Sequence, residues 1–280
     1  MPVSRRIDIS GGVSLHALEE GEGRPLIMIP GWSQSAAEFG RNIPELAKNR
    51  RVIALDMRGH GESSKPAGGY RVQRLARDLD EVIAALGFTS VDVLGHSMGS
   101  SVIWSYLDLF GPKHLRKLVI VDQAPMVAAL PAWSDEDKLR FGCLQPSVQA
   151  VADFCDAVRA APTVEGTAAI IKGMFTAAMP ENDLRWIAEE NLKMPRPHAA
   201  DLLFDHCLND WRDVIEATRL PSLVVGGRKS IFSAESQEWI ASVNPNARAV
   251  IFEEDEGGAH FMFYENAGRF NAEVDRFLNE

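Results

Sequence analysis

The sequence predicts an α/β protein: a mostly parallel central sheet flanked by helices and interrupted by a helical cap insert. Two patterns carry that expectation. Short apolar, largely β-branched runs at residues 26–29, 52–55, 91–94, 118–121, 223–225 and 249–252 alternate with helix-length segments. Uninterrupted apolar strands of this kind are those covered on both faces, as in a parallel sheet. The alternation then stops between residues 125 and 219. Segments 148–160, 167–179 and 184–192 are helix-like, prolines such as Pro146, Pro162, Pro180 and Pro195 punctuate them, and no strand signal intervenes.

The elements follow in chain order. Residues 7–9 and 13–18 read as an antiparallel hairpin at one edge of the sheet. Within 72–86, Leu75, Leu79, Val82, Ile83 and Leu86 fall on one helical face, and Gly87 ends the helix. Residues 102–109 are apolar on most sides, as expected of a helix buried against a sheet. Phe270, Val274 and Phe277 share one face of a helix near the carboxyl terminus. This organisation divides the chain into a core of residues 1–124 and 213–280 and a cap of residues 125–212. A chain of 280 residues is long enough to bury a substantial core in such an arrangement.

Composition narrows the function classes. The chain is 46% hydrophobic and 24% charged, ordinary values for a globular protein. A formal charge of −10 disfavours nucleic acid or an anionic membrane as partner; the expected partner is a small-molecule substrate, and the expected state a monomer or homodimer. No apolar run reaches transmembrane length. Arg5 and Arg6 precede a mixed polar stretch rather than the apolar segment of a signal peptide, so a cytoplasmic location is expected. Cys143, Cys155 and Cys207 lack metal-ligand spacing and read as buried thiols; no metal is expected.

The chemistry is carried by Gly95-His96-Ser97-Met98-Gly99, placed between a strand and a helix. This is the pattern of a nucleophile elbow, a turn so tight that its serine hydroxyl projects at the carboxyl edge of the sheet. The flanking glycines are required sterically. A serine nucleophile needs a base, an acid that orients the base, and donors for an oxyanion. Of seven histidines only His260, in Gly257-Gly258-Ala259-His260-Phe261, lies after the last expected strand. The glycines let that loop bend toward the sheet edge, which makes His260 the candidate base. His96, inside the elbow, is expected to pack or bond structurally.

These motifs, with Pro30-Gly31-Trp32 and Asp56-Met57-Arg58-Gly59-His60-Gly61-Glu62-Ser63 in the same order along the chain, resemble the α/β-hydrolase superfamily over nearly the whole length. The resemblance implies an oxyanion hole built from the backbone N–H groups of Met98 and Trp32. The Trp32 side chain would wall the substrate pocket or simply pack, and Asp56 with Arg58–Ser63 would form a structural turn without chemistry. The acid departs from the usual pattern. Many members carry an aspartate shortly after the strand read at 223–225, where Gly227-Arg228-Lys229-Ser230 here supplies serine. Others, including haloalkane dehalogenases and zearalenone lactonases, place the acid directly after the preceding strand, and Asp122 ends that strand here. Asp122 is therefore the favoured acid and Glu235 the alternative, while the acidic run at 253–256 reads as solvated.

The expected activity is cofactor-free hydrolysis of carboxylic esters or lactones with small to medium apolar groups, by a Ser97-His260-Asp122 triad. A serine at the elbow excludes the epoxide-hydrolase and dehalogenase chemistries that need an aspartate nucleophile there. Three alternatives stay open: a cofactor-free haloperoxidase or perhydrolase, a carbon–carbon bond hydrolase acting on diketone acids, and a ligand-binding receptor of the same fold. The second requires a basic carboxylate site, for which Arg159, Lys172, Arg185, Lys193 and Arg196 are available in the insert. Met and aromatic residues are frequent there, pointing to a mainly apolar pocket.

Overall fold

The computed structural model describes residues 1–280. The chain opens with β1 (Val3–Ile9) and β2 (Val13–Glu20), the expected edge hairpin, followed by β3 (Pro25–Ile29), the short α1 (Ile43–Leu46) and β4 (Arg51–Leu55). Next come α2 (Val72–Ala85), β5 (Val91–His96), α3 (Met98–Phe110) and β6 (Leu115–Val121). Six helices then follow without a strand: α4 (Asp135–Arg140), α5 (Val148–Arg159), α6 (Val164–Ile171), α7 (Glu181–Leu192), α8 (Arg196–Leu208) and α9 (Arg212–Ala217). The sheet resumes with β7 (Ser222–Gly227), α10 (Ala234–Ser242) and β8 (Ala247–Phe252), and the chain closes with α11 (Met262–Glu265) and α12 (Ala267–Asn279).

The eight strands form one sheet in the order β1-β2-β4-β3-β5-β6-β7-β8. β1 and β2 are antiparallel, β2 meets β4 antiparallel, and every pairing from β4 to β8 is parallel. Every residue of β5 and β7 is buried, as continuous apolar runs require. Two hydrophobic clusters cover the two faces: Leu75, Leu79, Val102 and Trp104 belong to one, Phe39, Phe261, Phe263 and Phe270 to the other. No helix is long and apolar enough to cross a membrane.

Several details of the insertion differ from the sequence expectation. The helix expected over 167–179 stops at Ile171, a single 3₁₀ turn covers Lys172–Met174, and Phe175 is extended. Helix α8 was hidden by Pro195 and Pro197, which read as breakers. Pro197 in fact occupies the first turn, where its missing N–H has no intrahelical partner to lose. Cys155 and Cys207 are buried as expected, but Cys143 is only half-buried.

Candidate active site

The site begins with register. β5 and β6 pair so that His96 lies opposite Val121, and the next residue of each strand, Ser97 and Asp122, leaves the sheet at the same level. Both turn off through positive φ, 52° for Ser97 and 51° for Asp122, a conformation that costs of order 1–3 kcal/mol in each case. The surrounding backbone holds them there: the Ser97 N–H donates to the Val121 carbonyl at 2.8 Å, and the Asp122 N–H to the Val225 carbonyl at 2.7 Å. The glycines beside Ser97 answer to contact. A Cβ on Gly95 would lie 2.5 Å from the Gly99 backbone, and one on Gly99 would strike the Ile29 carbonyl.

His260 comes from the loop between β8 and α11 and is buried. Its Nδ1 lies 2.5 Å from Asp122 Oδ2. The carboxylate also accepts from the Ser230 hydroxyl and, at 3.3 Å, from the Gly227 N–H. Burial pushes the Asp122 carboxyl upward, opposed by those two donors, and pushes the His260 imidazole below its ordinary value. The loop is pinned by His96, whose Nε2 donates to the His260 carbonyl at 2.9 Å while its Nδ1 faces Gln34 Oε1 at 2.9 Å. The His260 N–H donates to the Met174 carbonyl at 3.0 Å.

The loop after β3 closes the third side. The Gly31 N–H donates to Gln34 Oε1 at 2.8 Å, and a Cβ on Gly31 would lie 3.0 Å from Ser97 Cβ. The backbone N–H groups of Trp32 and Met98 donate to no other group of the protein. Ser33, also at positive φ (61°), donates its N–H to His60 Nε2 at 3.1 Å, and His60 Nδ1 donates to the Arg58 carbonyl at 2.9 Å. With both nitrogens so engaged His60 is neutral, and burial lowers its pKa to about 4. Asp56 braces the neighbouring turn, accepting from His16 Nδ1 at 2.7 Å and from the N–H groups of Ala36 and Glu62 at 2.7 and 2.8 Å.

The insertion docks on this same loop. Trp32 Nε1 donates to the Ala199 carbonyl of α8 at 2.6 Å, and Ser35 Oγ donates to Glu190 Oε2 of α7 at 2.6 Å. Arg196 Nη2 donates to Ser33 Oγ at 2.6 Å and to the Met194 carbonyl at 2.9 Å, with no carboxylate beside it.

Ser97, His260 and the Trp32 side chain line one small cavity of about 50 Å³ between the sheet edge and the insertion. Nine of its fourteen lining residues are hydrophobic and none is Lys, Arg, Asp or Glu, so a charged ligand finds no counter-ion there. No hydrogen bond joins Ser97 Oγ to His260, whose Nδ1 is engaged by Asp122. Larger open grooves of about 540 and 580 Å³ lie elsewhere on the surface and contain neither residue.

The structure thus brings together Ser97, His260, Asp122, Trp32 and Met98, and leaves out Glu235, which is exposed on α10. None of the five basic residues of the insert lines the cavity. Sequence reasoning missed three participants. The Ser230 hydroxyl, expected to mark a vacancy, is a donor to Asp122. Gln34 had no signal beyond its place after Trp32. His96 had one, adjacency to Ser97, but not its role of fixing the His260 backbone.

Comparison with known proteins agrees with this architecture. Over 114 residues the chain is 38% identical to a soluble epoxide hydrolase of Corynebacterium sp. (strain C12), a match covering 41% of this chain and 40% of that protein. It is 27% identical to a proline iminopeptidase of Heyndrickxia coagulans, over 98% of this chain and 97% of the other. An esterase structure from Exiguobacterium antarcticum superposes with a TM-score of 0.88 at 22% identity, covering 99% of this chain and 100% of that one, a likeness of fold. The model of the alpha/beta hydrolase fold family matches residues 24–267, and the chain belongs to that family.

Proposed function

We propose that this protein hydrolyses carboxylic esters or lactones bearing small to medium apolar groups, through an acyl-enzyme on Ser97. The observation that carries the reading is the 2.5 Å contact between His260 Nδ1 and Asp122 Oδ2 in the wall of the cavity that Ser97 lines. With Nδ1–H held by the carboxylate, Nε2 is left with its lone pair free to accept a proton. His260 takes the Ser97 proton as the hydroxyl oxygen attacks the carbonyl carbon. The Trp32 and Met98 N–H groups, unengaged within the fold, receive the developing oxyanion, a contribution worth several kcal/mol (~3 for one donor). The imidazolium, stabilised by Asp122, then gives its proton to the departing alcohol. Water attacks the acyl group with His260 again as base, returning Ser97 and releasing the acid.

In this reading residues 1–124 and 213–280 carry the reaction and residues 125–212 form the cap that shapes the substrate site. At about 50 Å³ the cavity is narrow beside ordinary ligand sites (~300–1,000 Å³), which favours compact acyl groups. An uncharged lining favours neutral esters over diketone acids. The iminopeptidase and epoxide-hydrolase relatives act on other bonds, and the serine at position 97 separates this chain from chemistry requiring aspartate there.

The test combines a fluorophosphonate probe with a panel of acyl esters and lactones. Labelling of Ser97, turnover of apolar esters, and loss of both in a folded Ser97→Ala variant are expected. Undiminished hydrolysis in Ser97→Ala would overturn the mechanism.

A further inference from the structure

Buried histidines normally satisfy their nitrogens, and this protein shows the pattern three times: both ring nitrogens of His16, His60 and His96 have partners. His206 breaks it. It lies on α8, is only 4% exposed and lines the same cavity as Ser97 and His260. Its Nδ1 is sealed without a partner, while its Nε2, which no group of the protein engages, is open to the cavity. The sealed Nδ1 costs the fold free energy, and the open Nε2 can be answered only by what occupies the cavity, water at rest or a ligand when bound. The surroundings specify what that is. Gln145, another polar residue lining the cavity, also makes no side-chain hydrogen bond, and no charged residue lines it. The complement is a neutral polar atom of a ligand.

We infer that His206 is a specificity-determining residue that donates a hydrogen bond to an uncharged oxygen of the substrate, a keto, hydroxyl or amide oxygen set apart from the scissile carbonyl. This deepens the ester-hydrolase reading and rests on it. A sealed, partnerless Nδ1 is tolerated better as a bare acceptor than as an N–H, which puts the ring proton on Nε2. Burial and the nearby His260 lower the His206 pKa to about 3, so the ring stays neutral at physiological pH and offers no charge to a carboxylate. The substrate class narrows accordingly, from plain apolar esters to apolar esters or lactones carrying one additional neutral oxygen.

The experiment compares 4-nitrophenyl acyl esters of equal chain length that differ only by one keto group at successive carbons. In the wild-type protein one keto position is expected to raise kcat/KM about tenfold over the unsubstituted ester. His206→Leu should bring that ratio close to one, and His206→Gln, which restores a donor, should recover part of it. The same ratio in wild type and His206→Leu, or no keto preference at any carbon, overturns the inference. Fluorophosphonate labelling of each variant reports on Ser97 independently. Thermal shift with unreactive ketones of the same chain length reads the contact without turnover. A His206-dependent shift without labelling would sink the hydrolase reading and keep the contact; turnover without His206-dependent discrimination would do the reverse.

Discussion

Three residues other than glycine take positive φ, Ser33, Ser97 and Asp122, and all three lie at the carboxyl edge of the sheet. The helical insertion between β6 and β7 contains none. At the sheet edge, glycines meet backbone carbonyls: an added Cβ on Gly99 would collide with Ile29. In the insertion, Gly173 faces open space, α4 buries no residue, and Leu139, Val148 and Phe204 are exposed. One region is fixed by backbone sterics and hydrogen bonds, the other by side-chain packing and by polar links to the loop at Trp32–Ser35, to α2 and to the His260–Glu265 segment. The difference implies that substitutions at the sheet edge disturb the backbone, whereas those in the insertion are absorbed by side-chain packing.

That contrast can be broken in four ways. Asp122→Asn should lower kcat by about 10⁴, roughly 5.5 kcal/mol, because an amide fails to hold the imidazole tautomer or stabilise the imidazolium. Glu235→Gln, measured in the same steady-state assay, should stay within twofold; equal losses would misplace the acid. Next, Gly99→Ala should cost about 3 kcal/mol or more in a urea titration, against less than about 0.5 kcal/mol for Gly173→Ala. Similar costs at the two glycines would erase the distinction between the regions.

The third concerns pH. The folded-state pKa of His206 is depressed from 6.5 to about 3, so the unfolded chain binds more protons between those values. Its contribution is present above about pH 6.5 and is lost as pH falls below it. The stability of His206→Leu relative to wild type should therefore rise by about 2 kcal/mol between pH 6.5 and pH 5, followed by urea denaturation. A pH-independent difference would mean that the ring titrates normally. Last, Trp32→Phe removes the Nε1 donor to Ala199 and should cost about 1 kcal/mol in stability, with a few-fold drop in kcat/KM. An unchanged melting temperature would show that this link does not couple insertion to sheet.

Much of the sheet edge was legible in the sequence because its constraints are local. A Gly-x-Ser-x-Gly between strand and helix announces Ser97, and a glycine pair after the last strand announces His260. Asp122 was favoured only through the family resemblance, which offers two places for the acid, and the structure puts its carboxylate beside His260 Nδ1. The partners that complete the edge are set by tertiary approach, which leaves no local mark. Gln34 meets Gly31 and His96, and His96 meets a carbonyl far along the chain. The insertion was legible as helical but not in its boundaries. Prolines at the start of α8 concealed a helix, and the 167–179 periodicity overran Gly173. His206, on that concealed helix, could not be distinguished from an ordinary core histidine before its neighbours were known.

Housing the carboxylate on β6 has a consequence for how this scaffold diversifies. Residues 228–233, which follow β7, need supply only a hydroxyl at Ser230 to support the acid. The same segment contributes Ile231 and Phe232 to the cavity wall. If Asp122 is the acid, as proposed, substitutions at Ile231 and Phe232 that spare the Ser230 hydroxyl would reshape the cavity wall without moving the carboxylate.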